Sequence, residues 1–192
     1  VYQNEKYYLL KKNVKIISDS FELNADNVKI YFDENLYDIV SLEAEGSTTF
    51  NSSQFNIQGS GEKLKFQIKI EKLQVEGAKS KIISDKTEMF SNGSIMINNA
   101  NGRFSLKGSG SKLINNNILI EAENINGIFH DDLNRKEINS LNVFDEKISY
   151  IKNINTEMYA KKINFDNDIS IIELIDNVTI IRNGEKITGD YG

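Results

Sequence analysis

The chain contains no cysteine, so no disulfide framework, thiolate metal site or cysteine nucleophile can be built from it. It contains no proline, which leaves every backbone N–H free to join a ladder and suits a continuous sheet better than a loop-rich enzyme. Its one histidine, His130, stands beside Asp131 and Asp132. A lone imidazole next to two turn carboxylates falls short of the ligand count of a metal centre, and no triad can be assembled around it. No long basic run occurs and the formal charge is -5, which sets nucleic acid aside as a partner. No apolar run approaches the roughly 20 residues that cross a bilayer as a helix. No charged-then-apolar leader follows Val1, so any signal peptide or anchor is expected to have been removed or never to have been present.

What is present is alternation. With 192 residues, 39% hydrophobic and 27% charged, the chain can bury the core of one soluble domain, expected to span 1–192. Phe21, Leu23 and Ala25, then Val28, Ile30 and Phe32, recur at every second residue, the pattern of a strand with one dry face. Asp33, Glu34 and Asn35 break it where the chain reverses, and Ile39, Leu42 and Ala44 begin a return strand that Gly46 is expected to end. Val14 and Ile16 lead into this hairpin. Beyond it, Phe55 and Ile57, then Leu64, Phe66, Ile68 and Ile70, also read as strand. Asp131 to Phe144 is the best candidate helix, but loop plus strand is preferred there. The fold class is therefore all-β.

The unit repeats at roughly 33 residues, within the range of stacked architectures. An Ile-x-x-Leu-x-(Ala/Val) signature occurs at Ile39-Leu42-Ala44, Ile70-Leu73-Val75 and Ile138-Leu141-Val143, with a partial copy at Ile171-Leu174. The run from Phe55 to Leu64, with Gly59 and Gly61, is answered by the run from Phe104 to Leu113, with Gly108 and Gly110. A small residue with an aliphatic one three positions later appears at Ala25/Val28, Ala122/Ile125 and Ala160/Ile163, where a backbone can bend or pack closely.

Other chemistry is weak. Asp26, Asp33, Asp166 and Asp190 stand at recurring positions of the repeat, but calcium needs six to eight converging oxygens, so turn and strand-end roles are preferred. The Gly-Ser-Gly runs lack the spacing of a phosphate loop and lead into strands, which makes a sheet corner the better reading. No metal, cofactor or catalytic residue is expected.

Toward the end of the chain, Met158, Ala160, Ile163 and Phe165, then Leu174, Asn177, Val178, Ile187, Gly189 and Asp190, resemble the OstA-type repeat of the LptA family, with Asp176 standing where glycine is usual. Asn13-Val14, Phe21-x-Leu23-x-Ala25-Asp26 and Leu42-x-Ala44-x-Gly46 are weaker restatements. The resemblance implies an open-ended antiparallel β-jellyroll that binds lipopolysaccharide, holding lipid A acyl chains in an apolar interior without catalysis. It implies a bridge across the periplasm of a Gram-negative bacterium toward the outer membrane. It also implies edge-strand stacking with LptC, LptD or a second copy of itself. Under it, Phe21, Leu23, Ile30, Phe55, Ile57, Phe104, Leu106 and Phe165 are the candidate lipid contacts. An LptC-like or LptD N-terminal domain, an inert β-solenoid scaffold and a polysaccharide-active β-helix enzyme are the alternatives. The last needs a carboxylate cluster that the repeats do not show. The chain stops in mid-repeat after Asp190 and reads as a fragment.

Overall fold

The computed structural model describes residues 6–33, 38–84, 86–132 and 135–192. Among the described residues sixteen strands follow one another: β1 (Tyr7–Ile17), β2 (Phe21–Phe32), β3 (Ile39–Ser52), β4 (Ile57–Gln67), β5 (Lys72–Glu76), β6 (Ser80–Ser84), β7 (Thr87–Ser91), β8 (Ser94–Asn98), β9 (Arg103–Lys107), β10 (Lys112–Asn115), β11 (Ile118–Glu121), β12 (Asn124–Asp132), β13 (Arg135–Lys152), β14 (Thr156–Asp166), β15 (Ile171–Arg182) and β16 (Glu185–Tyr191). Every pairing is antiparallel, and there is no α-helix among the described residues. Arg135 to Phe144 is strand, as the repeat required, while Leu133 and Asn134 of the expected turn, like Glu34 and Asn35, lie outside the described residues.

The long strands are bent in the middle. The register breaks between Lys11 and Val14 in β1, Asn24 and Asn27 in β2, Glu45 and Thr48 in β3, and Phe144 and Ser149 in β13. At each break the strand leaves one sheet and enters another, which is what a bulge does to a ladder. The short strands β5 to β12 make the same passage two by two, β5 into β6, β7 into β8, β9 into β10 and β11 into β12, with the bend falling in the connection. The result is twelve rungs of a V-shaped jellyroll. Its sheet I holds Lys63–Gln67 of β4, then β5, β8, β9, β12 and the first half of β13. Sheet II holds Ile57–Ser60 of β4, then β6, β7, β10, β11 and the end of β13. The two sheets meet along a spine of bends and face each other with the open mouth of the V opposite.

Each direction of crossing has its own chemistry. Passing from sheet I to sheet II, several bends use left-handed residues: Lys12 and Asn13, Gly46 and Ser47, Gly77 and Lys79, Gly108 and Gly110, Asp176 and Asn177. Asn and Gly tolerate that conformation best. Passing back, the bends fall on Ala25, Gly61, Ala122 and Ala160 without a left-handed residue there. Gly61 is required by packing, because a Cβ on it would strike Val75. The spacing of the repeat is therefore a pair of rungs, one out and one back.

A bend interrupts ladder bonds, and buried hydroxyls replace them. Thr48 donates to the Gly61 carbonyl at 2.8 Å, Ser91 to Lys107 at 2.8 Å, and Ser149 to Lys161 at 3.0 Å, each on the next rung. Ser80 and Ser111 bond the carbonyls of Gly77 and Gly108 within their own bends. All five side chains are buried, where an unmet carbonyl would be costly.

Several sequence expectations are corrected here. Gly46 does not end its strand, since β3 runs on to Ser52 with Gly46 as its bend, lying against the Asp26 side chain. Ile68 and Ile70 are not strand residues. They form a single 3₁₀ turn closed by left-handed Glu71, and both are exposed. Phe55 sits in the turn before β4. The matched runs around Gly59/Gly61 and Gly108/Gly110 are not equivalent, because the first crosses from sheet II to sheet I and the second crosses the other way. Asp26 and Asp190 lie at bends while Asp33 and Asp166 lie at the mouth ends of strands, so the four do not form one ladder.

Candidate functional site

Between the sheets lies one apolar cluster running the length of the V, from Val14 to Val178. Period two makes it: in the inner strands apolar residues flanking a bend, such as Leu23 and Val28 or Leu106 and Leu113, turn inward and are fully buried. Two rings fill space that glycine leaves free. Phe50 lies over Gly59 in sheet II, and Phe104 lies over Gly127 in sheet I, so that a Cβ at either glycine would enter the ring. With Ile82, Met89, Ile95 and Ile120 also buried, the middle rungs are packed shut. A cleft of about 10 Å³ lined by Ile57, Ile82, Ser84, Thr87, Met89, Ile97 and Phe129 is at the lower limit for a single water.

The eight candidate lipid contacts all face this interior or its mouth, but they divide into two groups. Leu23, Phe104 and Leu106 are no more than 2% exposed and belong to the closed core, Leu23 and Leu106 beside the bends and Phe104 in the middle rungs of the row that also holds Ile30, Phe66 and Phe165. Phe21, Ile30, Ile57 and Phe165 are half-buried, pack against the core from the mouth side, and are reachable without disrupting it. Phe55 is also half-buried and meets Phe66 edge to face at 6.2 Å between centroids. Phe66, half-buried on β4 in sheet I, stacks with Phe21 of sheet II at 6.0 Å. Sequence reading placed Phe66 in a strand, as a core aromatic, and not among the candidate lipid contacts. Its position two residues beyond Leu64 on an inward face was the available signal. Ile118, paired with Asn115, lies at the mouth end of sheet II and was likewise missed, as were Ile16 and Ile180, which pair with Leu23 and Met158 and carry the inner row onto the outer rungs, where they are half-buried.

The mouth is not uniform. In the middle rungs the sheet II side is polar, with Thr87 accepting a hydrogen bond from Asn115 at 2.7 Å and both side chains buried. Apolar mouth residues flank that strip, Phe21 and Ile57 on one side and Ile118 on the other, and Ile180 lies beyond it along the stack, one row deeper.

The outer faces carry the charge. On sheet I, Glu43 accepts from Tyr31 at 2.8 Å and from Lys65 at 2.7 Å across three adjacent strands. Burial pushes the Glu43 carboxyl up, but these two donors outweigh it and hold the group below the usual carboxylate range. Farther along the same face, Asn142 donates to Asn164, Asn164 to Glu173, and Tyr191 to Glu173, all at 2.7 Å, a polar row that ties β13 to β16. On sheet II, Tyr150 and Tyr159 pack at 4.8 Å, and Tyr159 donates to Glu157. Burial and that bond push the Tyr159 hydroxyl up to about 12.

Among the described residues no group of three or more His, Cys, Asp or Glu side chains could hold a metal ion. His130 is exposed on β12 opposite Glu137, and the side chains of its neighbours Asp131 and Asp132 lie outside the described residues. No helix among the described residues is long and apolar enough to cross a membrane.

Bent antiparallel strands stacked around an apolar interior agree with the open-ended β-jellyroll that the family resemblance implied, and comparison with known families decides the matter. The family profile described as LptA/(LptD N-terminal domain) LPS transport protein matches residues 1–103, more than half of the chain. The chain belongs to that family. The matched part of this LptA/LptD N-terminal-type chain comprises rungs one to six and ends at Arg103, which opens β9. The motifs most legible by eye lie instead between Met158 and Asp190, in the rungs that continue the same bends. No curated protein matches the chain.

Proposed function

We propose that the chain holds the acyl chains of lipopolysaccharide between its two sheets and passes the lipid across the periplasm toward the outer membrane, as a bridge and without catalysis. The supporting observation is the mouth-side layer of Phe21, Ile30, Ile57 and Phe165, apolar and half-buried, in a chain of the lipopolysaccharide-transport family. Each acyl methylene buried there would contribute about 0.8 kcal/mol. A chain of net charge -5 gains little from an anionic head group, so binding should tolerate salt. Leu23 and Leu106 act behind this layer, setting the depth to which an acyl chain can sink, while Phe104, in the same row as Ile30 and Phe165, fills the middle rungs. The single continuous sheet supports one domain of paired rungs. β1 and β16 are the outermost strands among the described residues, and their outer edges suit continuation by LptC, by LptD or by a second copy.

The test is a photo-crosslinking residue placed singly at Ile57 and at Phe165 in cells that make lipopolysaccharide. Crosslinks to lipopolysaccharide from both positions are expected. A folded, correctly exported protein that captures none from any mouth position would leave an inert scaffold as the better account. Because the family description also covers the N-terminal domain of LptD, service as such a domain is the second reading. Co-purification with an outer-membrane barrel rather than with soluble partners would favour it.

A further inference from the structure

We infer that Phe21, Phe55 and Phe66 form a displaceable clasp over the mouth, and that an acyl chain reaches the neighbouring rungs only by taking the place of Phe21 against Phe66. The inference rests on the proposed lipid cleft and adds to it a closing device and a residue, Phe66, that touches the lipid. Phe21 belongs to the part of β2 paired with β3 in sheet II, where its partner is Ser52. Phe66 belongs to the part of β4 in sheet I, between Leu42 and Leu73. Their stacking at 6.0 Å and 23° therefore joins the two sheets across the mouth, far from the spine where all covalent crossings lie. Phe55 meets the same ring from the turn between β3 and β4. All three are half-buried, so they have less core behind them than Leu23 or Leu64, which are at most 2% exposed on the same strands.

An aromatic pair of this kind adds only a modest increment beyond the area it buries, of the order that burial of one or two acyl methylenes recovers. The clasp is thus strong enough to keep the apolar mouth closed to water and weak enough to yield to an acyl chain. The turn that carries Phe55 is held by the Ser53 N–H on the Ser20 carbonyl at 3.0 Å and by the Phe55 N–H on the Ser52 hydroxyl at 3.4 Å, so Phe21 rather than Phe55 is the side of the clasp that yields.

The absence of native cysteine allows a direct test. The pair Phe21→Cys/Phe66→Cys is bridged with a reversible bis-methanethiosulfonate reagent, in proteins that also carry a photo-crosslinker at Ile57 on the clasped side or at Ile180 on the other side of the polar strip. Purified lipopolysaccharide is the probe. Bridging is expected to abolish capture at Ile57, reduction to restore it, and capture at Ile180 to persist throughout. Undiminished capture at Ile57 in the bridged protein would overturn the clasp, as would loss at both positions, which would mean that the bridge closes the whole cleft. No capture at either position before bridging would overturn the lipid reading and the clasp with it. Should the double variant fold poorly, Phe66→Leu keeps an apolar side chain but removes the stack. Faster lipopolysaccharide uptake at Ile57 is then expected, and an unchanged rate contradicts the clasp.

Discussion

Thr48 donates its hydroxyl to the carbonyl of Gly61 at 2.8 Å across the bend where β3 and β4 both change sheets. Thr48 is 1% exposed and covers the half-buried Gly61. Thr48→Val keeps the shape and removes the donor, so the cost should be that of an unmet buried acceptor, about 1–3 kcal/mol. Thr48→Ser should recover most of it. Urea unfolding monitored by circular dichroism checks both, and a valine variant as stable as the parent would show that the hydroxyl is not needed at the bend.

Phe104 and Gly127 should prove coupled. A Cβ at Gly127 would meet the Phe104 ring and the carbonyl of Ser140, so Gly127→Ala is expected to destabilise by about 1–3 kcal/mol through overpacking. In a Phe104→Leu background part of that penalty should vanish, because the ring is no longer there. A double-mutant cycle measures the coupling. Strict additivity would argue that only the Ser140 carbonyl matters.

These features explain how much the sequence could disclose. Period-two alternation revealed the strands and their dry faces, because an inward side chain must be apolar wherever two sheets face each other. The bends were harder to see. Gly46 looked like a strand end, since glycine at a terminus and glycine at a bend carry the same conformational signature. The match between the Gly59/Gly61 and Gly108/Gly110 runs paired crossings of opposite direction, and local likeness carries no information about direction. Ser80, Ser111 and Ser149 gave no signal, because a buried serine bonding a carbonyl is indistinguishable in sequence from one on a turn. For the candidate site, alternation placed all eight residues inward. It could not separate Leu106 at the spine from Ile57 at the mouth, because distance from a bend becomes meaningful only once the bends are known.

Tyr159 should ionise late. Burial and its 3.1 Å bond to Glu157 raise its hydroxyl to about 12, above the ordinary value near 10. A raised folded value means that the stabilisation is complete below the ordinary tyrosine range and is lost as pH rises through about 12. Spectrophotometric titration of tyrosinate should show a late component that Tyr159→Phe removes. An early, uniform titration of every tyrosine would contradict the environment described.

Glu43 governs the opposite end of the pH scale. Its folded value is lowered despite burial, through Lys65 and Tyr31, so its contribution is present above the ordinary glutamate range and lost as pH falls through the lowered value. The carboxylate is part-exposed, and an exposed pair of this kind is worth about 0.2–1 kcal/mol. Glu43→Gln should therefore cost little at neutral pH and flatten the acid limb of the stability profile. Parallel acid limbs for variant and parent would place the acid sensitivity elsewhere.

A buried charge should separate core from mouth. Leu106 is 0% exposed in the apolar cluster, with Ile95 and Ile125 as its strand partners. Leu106→Glu must then either unfold the chain or hold a strongly disfavoured ion, a loss expected to exceed about 4 kcal/mol. Ile57 opens β4 at the mouth and is half-buried, so Ile57→Glu can turn its carboxylate toward water and should leave the fold intact. If acyl chains occupy the mouth-side layer, the folded Ile57→Glu protein must bind lipopolysaccharide less well, because each chain would lie against a charge. Thermal unfolding and lipopolysaccharide binding are measured on the same samples. A stable Ile57→Glu protein with undiminished binding would remove the mouth from the lipid path, and a stable Leu106→Glu protein would show that the middle rungs are not closed.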